Sequence, residues 1–152
     1  MSRSGSPARR TADRIDVAYA RIPDPECKGL CSESCHSVAM TPAERRRVYA
    51  ATGLRLPLVY ADLDVPCAAL DGDGRCRAHQ VRPTVCRLWG AVEEMPCPHG
   101  CRPEGGFLPA GRGHEILAEV HRAGGDTRRR DPADDADPGM LARLMDKHRH
   151  QT

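Results

Sequence analysis

All eight cysteines of this 152-residue chain fall between Cys27 and Cys101. Cys27, Cys31 and Cys35 are separated by gaps of three residues, as are Cys97 and Cys101, while Cys67, Cys76 and Cys86 are spaced more widely between them. Thiols confined to one stretch make either metal ions or disulfides the organising element of that stretch. Little else in the chain could do so: it has three tyrosines, one tryptophan and one phenylalanine. Fixing each residue costs about 1–2 kcal/mol of backbone entropy, which a core so poor in large side chains offsets only narrowly. A structural metal site contributes an apparent ~10–16 kcal/mol, so metal is expected to be required for folding.

The choice between metal and disulfide follows from the compartment. The first 21 residues carry Arg3, Arg9 and Arg10 without an apolar stretch of signal-peptide type, and no segment nears the ~20 apolar residues of a membrane span. A cytoplasmic protein without membrane contact is therefore expected, and reducing conditions there leave thiols free as ligands. The formal charge of +2 counts those thiols as neutral; eight thiolates would bring it to about −6. The basic runs Arg45 to Arg47 and Arg128 to Arg130 read as solvated faces, and so few aromatics leave little for stacking on bases. Nucleic acid is not expected as a partner.

Along the chain, residues 1–21 read as a flexible N-terminal arm with a short helix from Thr11 to Ala20. Residues 22–121 form the cysteine-cluster domain, 122–137 a linker of Gly, Pro and mixed charge, and 138–152 a C-terminal helix with Leu141, Leu144 and Met145 on one side. Within the domain the clearest helix is Pro42 to Thr52: Thr41 caps it, Glu44 completes a capping box and Gly53 stops it. Its Arg45 to Arg47 are expected to point to solvent. Val59 to Leu63 reads as extended. Ala68 to Leu70 and Arg75 to Arg77 read as the arms of a β-hairpin about Asp71-Gly72-Asp73-Gly74, bringing Cys67 near Cys76. Further helices are expected over Thr84 to Trp89, presenting Cys86 inward, and over His114 to Ala123. The fold expected is a small irregular α+β metal-stabilised domain, with short helices and a β-hairpin around a cysteine-rich centre.

Eight thiols suffice for two four-coordinate zinc sites, or for one site with thiols to spare. Sulfurs at i, i+4 and i+8 lie along one face of a helical turn, an arrangement that serves an iron-sulfur or polynuclear iron centre as well as zinc. His36, His79 and His99 lie among the cysteines and are candidate nitrogen ligands. His114, His121, His148 and His150 read as surface residues.

The stretch from Pro66-Cys67 through the Gly-containing turn to Cys76, and on through Arg82-Pro83-Thr84-Val85-Cys86-Arg87, resembles the YkgJ-type cysteine-cluster family, a zinc- or iron-chelating domain. With the flanking clusters the resemblance covers about residues 27–101. The family's upstream motif is C-x-x-C-x-x-C-C; here each gap is one residue longer and His36 stands where the last cysteine would be. The resemblance implies chelation of zinc or iron by Cys27, Cys31, Cys35, His36, Cys67, Cys76, Cys86, Cys97 and Cys101. Arg82 and Arg87 flank Cys86 and are expected to balance thiolate charge from a second layer. The expected function is metal chelation that holds the fold and serves a protein partner. The alternative is an iron-sulfur or polynuclear-iron redox enzyme, or a protein-modification enzyme.

Overall fold

The structure, a computed structural model, describes residues 5–57 and 65–125. Its helices are α1, Pro7–Tyr19; α2, Pro42–Thr52; α3, Thr84–Leu88; and α4, Arg112–Gly124, with 3-10 turns at Ser32–Ser34 and His79–Val81. The extended segment expected at Val59 to Leu63, the C-terminal helix and nearly all of the linker lie outside the described residues.

The starts of α1 and α2 have local causes. Ser6 accepts a hydrogen bond from the Arg9 amide ahead of Pro7, so α1 begins four residues before the expected Thr11. The capping box at α2 forms as expected: the Glu44 amide donates to Thr41 Oγ1, the Glu44 carboxylate accepts from the Thr41 amide, and Gly53 takes the left-handed conformation. The 1–21 stretch is not isolated from the rest, because Ile15 and Ala18 of α1 are fully buried against α4.

Two small apolar clusters result. Ile15, Ala18, Ala43, Ile116 and Val120 join α1, α2 and α4. Met40, Val48, Leu56, Ala69 and Ala78 pack beneath the cysteine-bearing loops. Helix α2 belongs to both, through Ala43 on one side and Val48 on the other. Arg45, expected in solvent, is buried.

No strand or sheet occurs among the described residues, so the α+β expectation and its β-hairpin are corrected to a mostly helical domain. The Asp71 to Gly74 turn forms, with Asp71 Oδ1 accepting from the Asp73 and Arg75 amides at 2.9 Å each. Only the isolated Leu70 to Cys76 bridge closes it. Its arms cannot continue as strands because both are engaged elsewhere: the Cys67 amide donates to Cys35 O at 2.9 Å, and Cys76 O accepts from the His79 amide at the start of a 3-10 turn.

Candidate metal centre

Four separate segments deliver four thiols to one place. The 3-10 turn at Ser32–Ser34 ends at Cys35, and antiparallel bridging of His36 to Pro66 sets Cys35 beside Cys67. The Asp71 to Gly74 turn reverses the chain and returns Cys76. Helix α3 supplies Cys86. Cys35, Cys67, Cys76 and Cys86 all line one cavity of about 30 Å³, whose other walls include Met40, Leu56 and Arg82. That volume holds an ion or about two waters.

Of the other four thiols, Cys97 and Cys101 lie at Gly90. This residue has φ +79°, and a Cβ there would lie 3.1 Å from Pro25 Cβ, 3.5 Å from Cys101 O and 3.5 Å from Cys97 Cβ. Only a glycine lets the approach to Cys27 meet the Cys97 to Cys101 loop this closely. The loop itself is closed by the Gly100 amide donating to Cys97 O. Cys101 is buried, Cys31 and Cys97 are partly buried, and Cys27 is exposed.

Several sulfurs are already met by backbone donors two residues ahead. The Gly29 amide donates to Cys27 Sγ at 3.4 Å and the Ala69 amide to Cys67 Sγ at 3.5 Å. The Ala78 and His99 amides do the same for Cys76 and Cys97. Such bonds favour the ionised sulfur over the neutral thiol. Without a cation the thiols nonetheless resist ionising together. The hydrogen bond between Cys35 and Cys67 lets one sulfur ionise at the expense of the other, holding Cys35 well above the usual thiol range and bringing Cys67 down to about 6. Burial, then the charges of Cys67 and Cys76, push Cys86 up to about 12. Burial raises Cys31 too, and Cys27 and Cys97 add to it. A positive ion would reverse this repulsion, releasing protons as it binds.

Among the described residues no three Cys, His, Asp or Glu side chains are gathered tightly enough to hold an ion as they stand. The chemistry of the donors nevertheless fits a thiophilic metal, and His36 adds a second sign. Its Nδ1 is buried with no hydrogen-bond partner among the described residues, and the residue follows Cys35 and bridges to Pro66 next to Cys67. The other two candidate histidines are engaged: His79 Nδ1 faces Arg82 Nη1 at 3.4 Å, and His99 Nε2 pairs with Glu33 Oε1 at 3.0 Å.

The two arginines sit differently. Arg82 lines the cavity, favours the thiolates of Cys76 and Cys86, and donates to His79 O at 2.7 Å. Arg87 donates to Arg82 O and Gln80 O and stacks on the Tyr19 ring, 4.2 Å from its centre.

Glu44, read from the sequence only as a helix cap, has a wider role. It is 1% exposed. Its carboxylate accepts from the amide and hydroxyl of Thr41, from the amide and hydroxyl of Thr84, and from Tyr19 OH. Burial pushes this carboxyl up, but the donors outweigh it and the net shift is downward. By tying the start of α3 to α2, Glu44 positions Cys86 two residues beyond Thr84. The capping box was visible in T-P-A-E; the reach across 40 residues to Thr84 had no sequence signal.

Residues 26–102 match the family model CxxCxxCC, described as a putative zinc- or iron-chelating domain. The chain belongs to this family. The matched span contains every cysteine, as a cysteine-rich metal-binding domain requires. No curated protein and no solved structure matches the chain. No helix among the described residues is long and apolar enough to cross a membrane.

Proposed function

We propose that this protein is a metal-chelating module in which zinc or iron, bound by cysteine thiolates, supplies the stability that its two small apolar clusters lack. The observation that carries this reading is the shared cavity of Cys35, Cys67, Cys76 and Cys86, four thiols from four segments with only a small apolar cluster packed beside them. All-sulfur sets of four suit tetrahedral zinc or iron-sulfur centres and disfavour magnesium or calcium. Bound metal would neutralise thiolate charge and cross-link the segments. Around it, Arg82 offsets remaining negative charge, the i+2 amides orient the sulfurs, and the unpartnered His36 Nδ1 offers a nitrogen donor beside Cys67. Leu30 and Trp89 are exposed apolar side chains close in sequence to Cys31 and Gly90, and they supply surface through which such a module would meet a protein partner.

Elemental analysis and an absorption spectrum of anaerobically purified protein test the reading. Stoichiometric zinc with no visible band supports a chelating, fold-holding role. Visible bands with iron and sulfide would move the assignment to a redox centre, and protein that is folded and free of both metals would refute it.

A further inference from the structure

The eight thiols are not one pool. Cys35, Cys67, Cys76 and Cys86 face a common cavity closed by Met40, Leu56 and Ala78. Cys97 and Cys101 instead lie against Gly90 and Pro25, on the approach to Cys27. Side-chain geometry agrees with this division: His99, between Cys97 and Cys101, pairs through Nε2 with Glu33 Oε1 at 3.0 Å, which sets the turn after Cys31 beside that loop. Cys97 is hydrogen-bonded to Cys101.

Resting on the metal-chelating reading above, we propose that the chain carries two separate four-thiolate sites of unequal lability. An inner site of Cys35, Cys67, Cys76 and Cys86 retains its ion, and an outer site of Cys27, Cys31, Cys97 and Cys101 exchanges it. Each takes one divalent thiophilic ion, Zn²⁺ or Fe²⁺, and each coordinating thiol gives its proton to solvent without change of oxidation state.

The difference in lability has two physical sources. An incoming chelator must reach the ion or displace a ligand. Cys27 is exposed and offers that route, whereas the inner sulfurs are partly buried and walled by apolar side chains. Charge acts in the same direction. An ion held by four thiolates leaves a net negative site, which Arg82 offsets at the inner cavity. The outer set has the carboxylate of Glu33 beside it, paired with His99 Nε2 at 3.0 Å, where the inner set has the guanidinium of Arg82. The cations nearest in sequence, Lys28 and Arg102, are exposed, so water and salt screen them. Loss of a supporting neighbour costs metal sites about 10–100-fold in affinity, which sets the expected gap between the two sites at tenfold or more.

The test uses the full-length protein with the metal it is purified with. Metal content per chain is measured, then release into excess chromogenic chelator is followed by absorbance. Two equivalents released in two phases of equal amplitude, with rates at least tenfold apart, support the proposal. Cys27→Ser should abolish the fast phase and leave one equivalent, with the slow phase and far-ultraviolet circular dichroism retained. Release of both ions in a single phase overturns it, as does loss of all metal in Cys27→Ser or a content matching one polynuclear cluster. These results leave metal chelation itself standing, whereas a folded protein with no metal at all removes both readings.

Discussion

A carboxylate that is 1% exposed must have its lone pairs met by donors, and Glu44 meets that requirement with five. Hydrogen bonds to a charged group contribute about 1.5–3 kcal/mol, and donors left unmet keep their desolvation cost. Glu44→Ala should therefore destabilise the metal-bound protein by on the order of 3–5 kcal/mol, read from denaturant midpoints, whereas Tyr19→Phe should cost only about 1–2 kcal/mol. The sign with pH follows from the downward shift of the Glu44 carboxyl. Its contribution is complete above the unfolded value of about 4.3 and is lost as pH falls through the lower folded value. Acid also strips thiolate-bound metal from any variant. The informative quantity is thus the stability difference between wild type and Glu44→Gln, which should shrink below about pH 4; a constant difference would contradict the role given to this charge. At this scale the sequence shows which residues are chemical but not which meet. Eight thiols are visible in it, whereas their division into two sets depends on Gly90 admitting Pro25 and on the Cys35 to Cys67 backbone pairing.

Among the elements, α2 was legible in its bounds because its start, capping box and stop are local chemistry, whereas the burial of Arg45 was not. The hairpin was not, since a strong turn specifies a reversal and says nothing of whether its arms find each other or a third segment. In this chain the third segment, around Cys35, takes the Cys67 amide. Contacts between helices were equally hidden, and Gly124 illustrates why. It ends α4, where alanine would ordinarily stabilise by about 1 kcal/mol. A Cβ there would sit 2.3 Å from Thr41 Oγ1 and 2.7 Å from Thr41 Cβ, at the buried cap of α2. Neither atom can yield without disturbing the cap. Gly124→Ala should thus lower stability by about 1–3 kcal/mol despite its helix propensity. Gly72→Ala, with nothing within 4 Å of its Cβ, should change it by less than about 0.5 kcal/mol. Equal midpoints for the two variants in urea unfolding would show that α4 does not close on α2 as described.

At the scale of the whole molecule, the two apolar clusters share one helix. Ala43 anchors α2 in the layer with α1 and α4, Val48 anchors it against the cysteine loops, and Glu44 between them is hydrogen-bonded to Tyr19 of α1 and to Thr84 of α3. Neither cluster has the buried area of an ordinary core, and the thiol side contributes repulsion until a cation is present. Removing metal should therefore not melt the cysteine loops alone. Because α2 and Glu44 transmit the loss, hydrogen exchange of α1 and α4 amides should rise together with that of Cys67 and Arg77, whose amides bond to Cys35 and Ala69. In a chelator titration, helical circular dichroism and amide protection should fall along one curve, and restoring the ion should return both. If the α1 and α4 amides stayed protected after the loops had exchanged, the helical layer would be stable on its own. The metal would then organise only the loops, and the coupling through α2 and Glu44 would be too weak to unite the domain.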